Sequence, residues 1–96
     1  MRFHYIVSYD IADPKRLRKV FKTMLGMGDH MQLSVFRCEL SDRDRVRLAA
    51  KLERLIHHKE DQVLLIDVGP AKGRSRRAIA ALGLPCAARA RAVTVV

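Results

Sequence analysis

The spacing of apolar positions changes period several times along this chain, and each change marks an element. Residues 3–10, Phe3-His4-Tyr5-Ile6-Val7-Ser8-Tyr9-Asp10, are rich in β-branched and aromatic side chains and read as a strand. From Leu17 the period becomes helical: Leu17, Val20, Phe21, Met24 and Leu25 share one face. Asp13-Pro14 suits the start of that helix, Asp as N-cap and Pro in the first turn. Gly26 and Gly28 are expected to end it. In residues 30–40, Met31, Leu33 and Val35 alternate with Gln32, Ser34 and Phe36. The run is long for one strand and is expected to bend or split, but no Gly or Pro marks the place. Ser41-Asp42-Arg43-Asp44 resembles a capping box whose acids suit the helix dipole. It predicts a helix to about His57, with Leu48, Leu52, Leu55 and Ile56 inward. Asp61 then opens a strand over 62–68 whose continuous apolar centre predicts burial on both faces. From Gly69 the pattern dissolves into a basic loop and an Ala-rich stretch broken by Gly83 and Pro85. Ala92-Val93-Thr94-Val95-Val96 closes the chain as a short strand with no hairpin partner before it.

This order predicts an α+β ferredoxin-like sandwich (βαββαβ), one antiparallel sheet with two helices on one face. Residues 1–68 form the core, 69–90 a basic loop and connector, and 91–96 the terminal strand, all within a single domain. The uncovered sheet face needs a partner, and so does the terminal strand. A homodimer that exchanges C-terminal strands supplies both.

Composition narrows the partner. The 96 residues are 49% hydrophobic, which excludes a disordered chain. They carry 19 Lys plus Arg against 10 Asp plus Glu, a formal charge of +9. Such an excess calls for a polyanion, nucleic acid first. A membrane surface fits less well, because no helix joins a basic face to exposed aromatics. No apolar run reaches the roughly 18–20 residues that span a bilayer. His4, Tyr5, Ser8 and Asp10 interrupt any secretory h-region, so the expected location is the cytoplasm. Cys38 and Cys86 have neither zinc nor redox spacing and are expected to be inert thiols.

The candidate chemistry centres on Asp10, an acid at the lip of a strand followed at once by positive charge. Mg²⁺, or Mn²⁺ in its place, takes hard oxygen ligands and often binds one or two carboxylates plus substrate phosphate. One carboxylate is too few, but two copies of Asp10 across a two-fold axis complete a metal and catalytic site. Asp10 can equally be a strand-end turn residue, and Asp13 a second acid or simply the helix cap. Lys15, Arg16, Arg18, Lys19 and Lys22 make the first helix one-signed, and its arginines can grip phosphate through two bonds. Lys72, Arg74, Arg76 and Arg77 form a second cationic arm. Tyr9 and His30 are candidate proton carriers, with a structural histidine as the alternative. His57 and His58 suit a helix C-terminus. No nucleophile triad, Gly-rich phosphate loop or zinc motif is present, and Ser34-Val35-Phe36 lacks the aromatics of an RNA-stacking sheet.

Tyr9-Asp10-Ile11, then Asp13, Lys15-Arg16-Leu17-Arg18-Lys19-Val20, Gly28, Gln32-Leu33-Ser34-Val35-Phe36 and Cys38-Glu39-Leu40 resemble the family of CRISPR-associated protein two. The resemblance is dense over residues 3–40 and returns at 61–68 and 79–83. It implies a ferredoxin-like homodimer with exchanged C-terminal strands, a subunit of CRISPR adaptation. Such subunits bind duplex DNA and bridge the CRISPR integrase during spacer acquisition. Some are metal-dependent endonucleases on RNA or DNA. The resemblance puts the metal aspartate at Asp10, with a second copy from the partner subunit. It puts the helix arginines on or near Arg16 and Arg18, and an aromatic at Phe36. The chain departs from the family pattern at Met27, His30 and Arg37. The alternative is a basic RNA-binding module of the same fold, outside CRISPR and without catalysis.

Overall fold

The computed structural model describes residues 1–73 and 78–84. In chain order the elements are β1 (Arg2–Asp10), α1 (Pro14–Leu25), β2 (Gly28–Gln32), β3 (Val35–Ser41), α2 (Asp42–Leu55) and β4 (Gln62–Pro70). The strands make one antiparallel sheet in the order β2-β3-β1-β4. This is the expected ferredoxin-like arrangement. Residues 74–77 and 85–96 lie outside the described residues, and with them Arg74, Arg76, Arg77, Cys86 and the terminal strand at 91–96.

Alternation along β1 decides which side is core. Tyr5, Val7 and Tyr9 point to the helices and are buried, opposite Cys38, Phe36 and, on β4, Val63. Val20, Phe21 and Met24 of α1 and Leu48 and Leu52 of α2 close over them. Phe36 is the hub. Its ring centroid lies 4.8 Å from His30, 5.7 Å from Phe21 and 6.3 Å from Tyr9.

Three local expectations need correction. Gly28 does not end α1; the helix stops at Leu25 and is capped at Gly26 in a right-handed conformation. Gly28 lies in β2 instead, where any side chain would strike the Arg37 carbonyl and the Cys38 sulfur. α2 ends at Leu55, short of His57, where Ile56 turns extended. β4 is not buried on both faces. It is an edge strand, and Leu64 and Ile66 remain 47% and 48% exposed.

The 30–40 run splits at Leu33-Ser34, and neither residue takes a positive φ. One long-range and one local bond hold this turn in place of a Gly or Pro. Tyr9 N donates to Ser34 O at 3.0 Å, and His30 Nε2 lies 3.3 Å from Leu33 O. The pairing shifts register between His30 and Gln32, a bulge beside the turn.

Candidate metal and nucleic-acid site

Asp10 ends β1, exposed and opposite Gln62 of β4. It points away from the helices, on the face that carries Ile6, Ser8, Leu64 and Ile66. Ile6 pairs with Ile66, and Ser8 with Leu64. An apolar stripe therefore runs along the open sheet face and ends at this carboxylate. Charged pairs flank the stripe: Arg2 with Glu39 at 3.1 Å and Arg37 with Asp29 at 3.7 Å. Asp10 makes no hydrogen bond or ion pair among the described residues, so its oxygens face outward uncommitted.

The loop after Asp10 is held by Asp61. Its carboxylate accepts from Ala12 N at 2.9 Å, His57 N at 2.8 Å, and Arg16 Nε at 2.8 Å. Arg16 Nη2 adds a bond to the same carboxylate at 3.3 Å and one to Glu60 at 3.0 Å. The Asp61 side chain has 0% exposure. Its bond from Arg16, helped by the His57 and Ala12 N–H groups, holds its carboxyl far below the usual carboxylate range. Asp61 thus ties together the β1–α1 loop, the first turn of α1 and the α2–β4 connection. Sequence reasoning gave it no role beyond opening a strand. The available signal was an acid before an apolar strand in a chain whose first helix has no acid of its own.

Asp13 is the N-cap: its Oδ2 accepts from Arg16 N at 2.9 Å, the main reason its carboxyl is lowered. Among the predicted cations, Arg16 is only 24% exposed and its guanidinium is taken by Asp61 and Glu60. Its geometry is that of an internal anchor rather than a free phosphate grip. Lys15, Arg18, Lys19 and Lys22 are exposed, and none joins an ion pair among the described residues. Lys72 is exposed beyond β4.

Tyr9, His30 and Phe36 come together, but inside the core rather than beside Asp10. Phe36 is fully buried and cannot stack on a base. His30 is 2% exposed and edge-on to Phe21, with Nδ1 unpartnered among the described residues. It is a core histidine. Burial pushes the Tyr9 phenol up to about 12, so it keeps its proton at neutral pH. The expectation of proton carriers at these two positions is corrected by their burial. Cys38 is likewise buried, its thiol pushed up to about 11 by that burial and secondarily by Asp29. His58 Nε2 lies 3.2 Å from Glu53 O near the end of α2, where a helix-closing histidine was expected.

Among the described residues no group of three or more His, Cys, Asp or Glu side chains could hold a metal ion. At the end of β1 one chain offers a single carboxylate, Asp10, which fits part of a Mg²⁺ shell but does not fill it. No helix among the described residues is long and apolar enough to cross a membrane.

Known proteins share this arrangement. The family model of CRISPR associated protein Cas2 matches residues 1–76. CRISPR-associated endoribonuclease Cas2 1 of Rhodospirillum rubrum is 56% identical over 68 residues, 71% of this chain and 67% of that protein. CRISPR-associated endoribonuclease Cas2 of Geobacter sulfurreducens is 46% identical over 72 residues, 75% of this chain and 76% of that one. The crystal structure of Streptococcus pyogenes Cas2 at pH 6.5 superposes with a TM-score of 0.70 at 29% identity, covering 83% of this chain and 99% of that one. The sheet order, the acid at the end of β1 and these matches make the chain a member of the CRISPR-associated Cas2 family.

Proposed function

We propose that the protein works as a homodimer in CRISPR adaptation, binding duplex DNA and holding the integrase subunit. We further propose that it cleaves phosphodiester bonds at a divalent-cation site formed by two copies of Asp10. One observation carries the catalytic part: Asp10 shares an open sheet face with the apolar stripe Ile6, Leu64 and Ile66. That stripe is unlike the surface of a lone domain and calls for a second copy against it. Covering the stripe with a second copy brings two Asp10 carboxylates toward a common axis, where neither chain alone has a site. The terminal strand at 91–96 is proposed to pair with the partner's sheet edge.

The two Asp10 carboxylates would hold Mg²⁺ or Mn²⁺, which supplies a bound water of lowered pKa and neutralises charge on the phosphate. The chain's own contribution is placement. Asp61 fixes Ala12 and Arg16, so the loop that follows Asp10 does not move freely. For the duplex-binding part, Lys15, Arg18, Lys19 and Lys22 draw phosphates to α1 on the helical side of the sheet. The relatives' names favour RNA as the cleaved strand. Family membership sets aside the unrelated RNA-binding module.

The test is cleavage of labelled RNA and DNA with Mg²⁺, comparing wild type with Asp10→Ala and with chelator present. Loss of cleavage in the variant and in chelator is expected. Equal cutting by wild type and variant refutes the paired-Asp10 site. Absence of cutting with intact duplex binding leaves the adaptation role as a non-catalytic scaffold.

A further inference from the structure

A row of cations on α2 is explained neither by the Asp10 site nor by α1. Arg43, Arg47, Lys51 and Arg54 succeed one another at helical intervals that stack side chains along one flank. All four are exposed, and none joins an ion pair among the described residues. The acids of α2 do not pair with this row. Asp44 pairs with Arg2 at 3.6 Å. Asp42 lines a shallow cavity with Arg45, Leu65 and Asp67, on the side facing β4. At about 100° per residue, Glu53 falls on that same side. The cationic row therefore runs on the other flank, toward α1 and solvent.

Like charges four residues apart repel and weaken a helix. Arg43 with Arg47, and Arg47 with Lys51, are such pairs, and the one acid bordering that flank, Asp44, is paired with Arg2 instead. α1 repeats the device with Lys15 and Lys19, and with Arg18 and Lys22. A solvated helix face ordinarily intersperses both signs. Here two neighbouring helices hold one sign on adjoining faces, and a polyanion would relieve both.

Packed helices lie about 8–10 Å apart, so these cations form two rows rather than one. The α2 row extends for about 16 Å, at about 1.5 Å per residue. A single strand offers one line of phosphates, whereas a duplex offers two across a groove. We propose that Arg43, Arg47, Lys51 and Arg54 form a second phosphate-contacting surface that, with α1, straddles a groove of duplex DNA. Each helix follows one strand. The surface lies on the helical side of the sheet, opposite the face of Asp10, so it holds a duplex without delivering it to that carboxylate. The inference rests on the nucleic-acid role above and names the surface that role uses.

The test is fluorescence anisotropy of a labelled duplex DNA across a salt series, for wild type and R43Q/R47Q/K51Q/R54Q. The single strand of the same sequence is run beside it, and circular dichroism checks the fold. If the fourfold variant does not fold, R47Q/K51Q makes the same comparison. Duplex affinity at low salt is expected to fall by about tenfold or more in the fourfold variant. The slope of log affinity against log salt should become shallower by roughly 3–4, near 0.9 for each phosphate no longer neutralised. Single-strand binding should fall less. A folded variant with wild-type duplex affinity and slope overturns the proposal, and so does an equal loss on both nucleic acids. Wild type that fails to bind duplex at low salt overturns the underlying nucleic-acid role instead.

Discussion

Replacing Tyr9 by Phe should stabilise this protein, although the residue adjoins the candidate acid. Tyr9 is 4% exposed and its hydroxyl has no hydrogen-bond partner among the described residues. A buried polar group left unpaired costs about 1–3 kcal/mol. Phe keeps the ring against Phe36 and opens no cavity of consequence, so Tyr9→Phe should gain about 1 kcal/mol at neutral pH. The pH dependence gives a second signature. Burial raises the phenol from 10.0 to about 12, so the folded state holds the proton more tightly than the unfolded chain. Ionisation of this phenol leaves stability untouched below pH 10 and lowers it as pH rises from 10 through about 12. That span is a hundredfold change in the equilibrium, roughly 3 kcal/mol. The Cys38 thiol, raised from 9.0 to about 11, titrates in an overlapping window. The difference between wild type and variant therefore isolates Tyr9 where the wild-type curve alone does not. Urea unfolding followed by circular dichroism, from neutral pH upward, supplies both curves. The variant should be the more stable at neutral pH and should lose less above pH 10. A variant that is destabilised at neutral pH, or whose alkaline loss matches wild type, refutes the unpaired, buried hydroxyl.

Gly28→Ala should cost about 1–3 kcal/mol in the same unfolding assay, because its Cβ would meet the Arg37 carbonyl and lie 2.6 Å from Cys38 Sγ; wild-type stability would contradict that close approach. Asp61→Asn should weaken the fold at neutral pH and flatten its acid limb. The lowered carboxyl of Asp61 stabilises above its ordinary 3.8 and loses that contribution as pH falls below it, which an acid titration reads directly. Leu64→Lys with Ile66→Lys should yield monomers in analytical ultracentrifugation, against the dimer proposed and expected for wild type; an unchanged dimer would move the interface off the open sheet face. Cys38 should react with a thiol reagent only under denaturant, given its burial and raised thiol.

Most of the architecture is legible in local periodicity. β1, α1 and α2 each announce themselves through alternation or a helical stripe, and their caps at Asp13 and Ser41 sit where the residue types place them. What escapes local reading depends on contacts distant in sequence. The Leu33-Ser34 turn carries no Gly or Pro, and its Ser34 carbonyl is held by the distant Tyr9 N–H. β4 looks like a central strand because its open face is apolar, yet it is an edge. At the site, Asp10 is visible as a strand-end acid. Arg16 could not be told apart from its cationic neighbours, since only the fold shows that Asp61 claims it. Tyr9 and His30 have the chemistry of proton carriers but the burial of core residues, and residue type does not reveal burial.

The clasp at Asp61 also sets an order in time. Its bonds reach back 45 residues to Arg16 and 49 to Ala12. At about 5–20 residues per second, a ribosome emits Arg16 roughly 2–10 s before the acid that will anchor it. β1, β3 and both helices can already have met by then. The loop beyond Asp10 still lacks its restraint, and β1 lacks its β4 neighbour. The candidate acid therefore takes up its position only when the sheet is nearly complete, so a nascent or truncated chain that stops short of residue 61 carries Asp10 without the means to aim it.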